Sequence, residues 1–327
     1  MITLITKTIK VVFPFVLGGV ILYWMYRGFN WAELREGFSE MNWTWMILSF
    51  PFGISAQVFR GWRWKQTLEP LGEHPSTSNC INSVLVSYAA SLAIPRIGEV
   101  SRCGILKRND GVSFTKAIGT VLTERIIDSV VVLGITVVTF LIQLPVFLSF
   151  FRRTGTSFTG FLSRFSATGY WVTAVCIVVL VAMFVALLHK LQLMSKVKDI
   201  FGKLMEGVMS VKKVKNVPLF IFLTFGIWAS YFLHFYFTFF CFEYTSGLGM
   251  MAALVIFVVG SIAVVVPTPN GAGPWHFAVK TMLMLYGVEA AKGAMFALIV
   301  HTIQTLLVIA LGIYGMLALN LTNKQKS

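Results

Sequence analysis

Glu124, Arg125 and Asp128 stand inside an otherwise apolar run, Ala117–Leu144. Glu124 and Asp128 are four residues apart, so a helix places both carboxylates on one face, and Arg125 is three residues from Asp128, within pairing reach. With the run starting near Ala117, Asp128 lies about 16 Å along a helix that rises 1.5 Å per residue. At the centre of a bilayer each charge facing lipid costs about 2.5–3.5 kcal/mol on the insertion scale. The charged face must therefore look into a helix bundle or a water-filled cavity. Acids and a base at that depth can form a polar path or take up a proton. The alternative is a structural ion-pair knot.

Two further groups carry chemistry. The segment Pro95-Arg96-Ile97-Gly98-Glu99-Val100-Ser101-Arg102 follows a helix-like stretch that stops at Pro95. Arg96 and Arg102 offer fork-shaped donors suited to phosphate. Glu99 can pair with either or accept a proton. The other group is Pro267-Thr268-Pro269-Asn270-Gly271-Ala272-Gly273-Pro274, followed by Trp275, His276 and Lys280. Gly271 and Gly273 allow close backbone approach, and the helix that begins at Pro274 points its N-terminus at this turn, which favours an anion. His276 titrates near neutral pH when unperturbed.

The elements that hold these groups follow from composition. Of the 327 residues, 57% are hydrophobic and 12% charged, against about 25% charged in a soluble domain. Mean hydropathy is +0.78. This excludes a soluble enzyme, a disordered chain and a nucleic-acid-binding domain, and leaves an all-α polytopic membrane protein. Apolar stretches near Val11–Tyr26, Trp43–Phe59, Ala117–Leu144, Tyr170–Leu188, Val217–Phe240 and Ala294–Leu319 can each supply a span across a core of about 30 Å. Ser78–Ile94 and Met251–Val266 are short and end at helix breakers, with Pro95, Pro267 and Pro269 marking the turns. Assigning the runs Arg60–Lys65, Arg96–Lys116 and Lys190–Lys215 with both termini to cytoplasmic loops accounts for 19 of the 27 Lys and Arg, as the positive-inside rule asks. That assignment requires both short elements to dip into the membrane and return. The reading is about six transmembrane helices plus two re-entrant helical hairpins. The halves, residues 10–144 and 170–319, form an inverted repeat joined by an outer loop at 145–169, an architecture common in secondary transporters. Aligning the halves carries Arg125 onto His301 and Asp128 onto Gln304, which adds those two to the polar path. The four cysteines show no C-x-x-C spacing and read as buried hydrophobes. No spacing calls for a metal or a cofactor, and no hydrolase, P-loop or zinc-protease signature occurs.

Three motifs in this order resemble the lysylphosphatidylglycerol synthase transmembrane (flippase-like domain) family over roughly residues 10–320. They are Ile94-Pro95-Arg96-Ile97-Gly98-Glu99-x-x-Arg102, Thr123-Glu124-Arg125-x-x-Asp128 and Pro267-x-Pro269-Asn270-Gly271-x-Gly273. The resemblance implies an integral membrane domain that moves lipid across the bilayer. The chain ends at Ser327, so a stand-alone member without a synthase domain is expected. It departs from the family in the third motif, where Asn270 fills a usual glycine position and Trp275-His276 stands where an acid is common.

The expectation is a translocator of an anionic phospholipid or polyprenyl-phosphate-type lipid in the cytoplasmic membrane of a prokaryote, both termini cytoplasmic, working without ATP. Headgroup contacts fall to Arg96, Glu99, Arg102, Asn270, Gly271, Gly273, His276 and Lys280, and the polar path to Glu124, Arg125, Asp128, His301 and Gln304. A homo-oligomer or a lipid-pathway enzyme is the expected protein partner. The alternatives are a membrane-embedded enzyme acting on a lipid phosphate, and a non-transporting partner subunit of a lipid pathway.

Overall fold

The computed structural model describes residues 2–28, 31–95, 97–144 and 213–324, and these are helical with short turns. The helices are α1 (Ile2–Tyr26), α2 (Trp31–Glu40), α3 (Trp43–Leu68), α4 (Thr77–Ala93), α5 (Ile97–Asp110), α6 (Phe114–Ile142), α7 (Val217–Thr238), the single turn α8 (Glu243–Ser246), α9 (Gly249–Ala263), α10 (Pro274–Leu285) and α11 (Ala290–Lys324). The expected span Tyr170–Leu188, the outer loop and the basic run Lys190–Lys215 lie wholly or mostly outside the described residues. So does Arg96.

Both stretches that end at helix breakers fold as helical hairpins. In the first, α4 runs into a turn at Ile94-Pro95 and α5 returns along it. Its open end is closed by Asn79, whose Nδ2 donates to both oxygens of Asp110 at 2.9 Å. Near the turn the helices touch at Gly98, where a Cβ would collide with the Ser87 carbonyl oxygen. Only glycine permits that approach. α4 is started by Ser76, whose hydroxyl accepts from the Asn79 amide at 3.0 Å, a standard N-cap. The second hairpin is α9 and α10, joined by residues 264–273.

The long helices hold the hairpins in a crosswise pattern. α3 lies along α7, with Gly53 against His234 and Gly226 against Phe59, small residues at a close helix contact. The His234 Nδ1 donates to the Ser49 carbonyl across this seam at 2.8 Å. The first hairpin packs through α4 on α11, where Gly312 meets Ala89, and the second packs through α9 on α6. The turn of the second hairpin also touches α1 and α4, with Gly18 of α1 under Ala272 and Gly273. The largest apolar core gathers Phe235, Phe239, Phe242, Ile256, Leu283 and Phe296 from the second half. A smaller one, with Trp64, Cys80, Val84, Cys103 and Leu106, lies beside the first hairpin. The described cysteines, Cys80, Cys103 and Cys241, are free and buried. Three helices, Phe114–Ile142, Val217–Cys241 and Ala290–Leu321, are long and apolar enough to cross a membrane.

Candidate functional site

The acids of α6 sit at its middle. Asp128 is fourteen residues from each end of the Phe114–Ile142 helix, about 21 Å at 1.5 Å per residue. The i,i+4 spacing puts Glu124 and Asp128 on one buried face, 1% and 6% exposed, while Arg125 points elsewhere. The partners of the two acids come from other helices. Arg60 and Arg63, three residues apart on α3, converge on Asp128: Arg60 Nη1 donates to Oδ2 at 2.6 Å and Arg63 Nη2 to Oδ1 at 2.8 Å. Arg102 of α5 donates from Nη2 to Glu124 Oε2 at 2.5 Å, and the other Glu124 oxygen is 3.8 Å from Arg63.

The arginines are held in place by neighbours. The Arg102 guanidinium lies over the Trp64 ring, 4.5 Å from its centroid, a cation–π contact, and the Trp64 Nε1 donates to Thr120 Oγ1 at 2.9 Å. Arg63 Nη1 reaches Thr224 of α7 at 3.4 Å. Arg60 lies 5.9 Å from the Tyr231 ring, whose hydroxyl is 2.9 Å from that of Tyr88. Helices α3, α5 and α6 thus meet on one ion cluster, with α7 at its edge.

The charge of this cluster does not balance. Three guanidinium groups face two carboxylates, a formal surplus of one positive charge among side chains that are at most 9% exposed. Among the described residues, Arg60 Nε, Arg63 Nε, Arg102 Nε and Nη1, and Glu124 Oε1, have no hydrogen-bond partner. A buried charge without a counter-charge is costly, and an unmade hydrogen bond of a buried donor costs about 1–3 kcal/mol. The arrangement suits an added anion better than an added cation.

Several expectations change here. Arg60 and Arg63 do not belong to a loop: they are buried in α3. Arg125 does not pair with Asp128 but with Glu99 of α5, at 2.8 Å, and this pair is partly exposed. Arg102 is not a free phosphate donor in this conformation, because Glu124 occupies it. α5 and α6 are consequently joined by two pairs of opposite polarity, Arg102–Glu124 and Glu99–Arg125. The signal for Arg60 and Arg63 was present in the sequence. Their i,i+3 spacing at the end of an apolar run, next to Trp62 and Trp64, puts both on one helix face, as the i,i+4 spacing does for the α6 acids.

The second turn is built differently. Asn270 adopts a left-handed conformation, φ 51° and ψ 24°, which asparagine tolerates better than most side chains. Its Nδ2 donates to Thr305 Oγ1 at 2.8 Å. Thr305 in turn lies 3.4 Å from His301 Nδ1, and His301 Nε2 donates to the Asn270 carbonyl at 3.1 Å. These three bonds close a ring that ties the turn to α11. His276, predicted as a headgroup ligand, is buried, and its Nδ1 accepts from the Gly273 amide at 3.3 Å. Its ring is 4.4 Å from that of His301. His276 and His301, assigned to different groups from the sequence, are neighbours beneath the turn, with Trp275 against both. Gly271 and Gly273 have φ of +70° and +92°, and Gly273 backs onto the Gly18 carbonyl. Gln304 is one residue from Thr305, and its amide nitrogen has no partner among the described residues. Lys280 lies six residues into α10, about 9 Å from its start, away from the turn. No group of three or more His, Cys, Asp or Glu that could hold a metal occurs among the described residues.

Membrane-length apolar helices, two helical hairpins and an ion cluster at the middle of one such helix define an integral, polytopic helical membrane protein. The family model for the lysylphosphatidylglycerol synthase TM region matches residues 11–312, and the chain belongs to this family. That family is a membrane domain associated with flippase-like function, distinct from a catalytic domain. No curated protein and no solved structure matches the chain.

Proposed function

We propose that the protein is a lipid translocator of the cytoplasmic membrane that moves an anionic, phosphate-bearing lipid without ATP hydrolysis. The observation that carries this reading is the buried cluster of Arg60, Arg63 and Arg102 against Glu124 and Asp128, with its surplus positive charge and unpartnered guanidinium nitrogens. A lipid phosphate supplies both the missing charge and the missing acceptors, and guanidinium groups match its geometry. The partly exposed Glu99–Arg125 pair is the outer latch of the same α5–α6 contact. When it parts, a phosphate reaches Arg102 by displacing Glu124; Arg96, which follows Pro95 in the sequence, is proposed as a further donor.

The architecture supports the reading. Exchanging α3 with α7, α4 with α9, α5 with α10 and α6 with α11 keeps the α3–α7 contact and maps α4–α5 onto α9–α10, α3–α4 onto α7–α9, α5–α6 onto α10–α11 and the packing of α4 on α11 onto that of α9 on α6, whereas the α3–α6 contact of the ion cluster belongs to the first half alone. This is the pattern expected of an inverted repeat whose two re-entrant hairpins enter from opposite faces. In this reading both termini are cytoplasmic and residues 10–144 and 170–319 are the two halves.

The test is reconstitution into liposomes containing a fluorescent phosphatidylglycerol analogue, with outer-leaflet dye quenched chemically. Wild-type protein is expected to bring inner-leaflet dye within reach of quencher faster than protein-free liposomes do, and faster for the anionic analogue than for a phosphatidylcholine one. Equal rates with and without protein would overturn the proposal.

A further inference from the structure

A second feature lies away from the ion cluster. A groove of about 670 Å³ runs between α2, the first two turns of α3 and the middle of α11, within the size range of small-ligand sites. Its walls are almost wholly apolar, with Trp43 and Phe50 on one side and Leu298 and Ala310 on the other. Thr302 and Arg35 are its polar members.

The dimensions are specific. Leu298 to Ala310 is twelve steps along one helix, about 18 Å at 1.5 Å per residue, close to the roughly 15 Å depth of one leaflet's hydrocarbon. The head end is also marked. Gly37 of α2 lies so close to Met295 that a Cβ would meet its sulfur, so α2 crosses the Leu298 end of the groove. Arg35, exposed and two residues from Gly37, lines the groove with Trp43, the first residue of α3, and we place both at that end. A cation and an indole at one end of an apolar slot one leaflet deep match a lipid headgroup boundary.

We infer that this groove is a binding slot for a glycerophospholipid of the leaflet on the α2 side, with one acyl chain along α11 between Leu298 and Ala310 and the phosphodiester on Arg35. The slot is separate from the ion cluster and requires only that the chain sits in a membrane, so it stands or falls independently of lipid translocation. Through Thr302 and Ile303 it touches α11 beside His301, the residue that grips the second turn.

The experiment uses full-length protein in nanodiscs containing a trace of phosphatidylglycerol with a photoreactive acyl chain, and maps the labelled peptides. Labelling is expected on α11 from Leu298 to Ala310 and on the start of α3. Ala310→Phe, at an exposed position, is expected to abolish it by filling the slot while leaving the unfolding temperature unchanged. Arg35→Ala is expected to lower it about tenfold, the worth of one charge-assisted hydrogen bond, and Arg35→Lys to retain most of it. Three results would overturn the slot: labelling no stronger than on the lipid-facing side of α6, labelling unchanged by Ala310→Phe, or equal labelling by a photoreactive fatty acid. Cross-links between two copies through this face would assign it instead to a dimer contact.

Discussion

The two hairpins have the same outline and opposite chemistry. The first is tied to its surroundings by charge: Arg102 and Glu99 of α5 each hold a residue of α6, and the surplus of the cluster falls on α3. The second carries no ion pair among the described residues. Its turn is fixed by left-handed backbone at Asn270, Gly271 and Gly273, by the Asn270–Thr305–His301 ring and by the Phe-rich core beneath. A charged joint can be opened by a competing ion, whereas a joint of backbone conformation and apolar packing cannot. Under the proposed function, the first hairpin is the part that responds to an anion and the second is the fixed wall.

The largest effect that would sharpen this contrast is at Asp128. Asp128→Asn leaves Arg60 and Arg63 buried without their counter-charge, and the expected loss is about 3–5 kcal/mol, read as thermal unfolding in detergent. Next is Gly98→Ala, which drives a methyl group into the Ser87 carbonyl and must spread α4 from α5. A loss of about 1–3 kcal/mol is expected, as for overpacking. At the other turn, Asn270→Ala forfeits the ring and keeps the strained backbone, for about 1–2 kcal/mol. Asn270→Gly, which relieves the backbone and loses only the side-chain bond, is expected to cost less than Asn270→Ala. If the alanine and glycine variants unfold at the same temperature, the left-handed backbone is not what fixes this turn. The smallest effect on stability is Glu99→Gln, at most about 1 kcal/mol because the pair is partly exposed. Its expected signature is a changed rate of lipid movement with an almost unchanged unfolding temperature.

Much of this was legible in the sequence. Pro95, and the Pro267–Pro274 segment, announced both turns, because proline and clustered glycine break helices, although single prolines also sit inside α1 at Pro14 and α3 at Pro51. The shared face of Glu124 and Asp128 followed from helix period alone. The partners were not legible. Local spacing favoured Arg125 for Asp128, but folding of α5 against α6 brings Glu99 to Arg125, and α3 supplies two arginines from more than sixty residues away. Arg60 and Arg63 were assigned to a loop by the sign of their charge, whereas their burial depends on where α3 crosses α6. In the second turn Asn270 and His301 were each singled out, but the bond between them joins residues thirty-one apart. Thr305, which completes the ring, has no feature of its own to mark it.

In the proposed function the surplus positive charge of the buried cluster recruits a lipid phosphate. Arg63→Gln tests it most directly, because it leaves two balanced pairs, Arg60–Asp128 and Arg102–Glu124. Removing an uncompensated buried charge is expected to leave the unfolding temperature unchanged or raised. This variant, reconstituted in liposomes, is expected to fold as well as wild type and no longer to accelerate movement of the fluorescent phosphatidylglycerol analogue. A folded Arg63→Gln protein that moves the anionic lipid at the wild-type rate would contradict it.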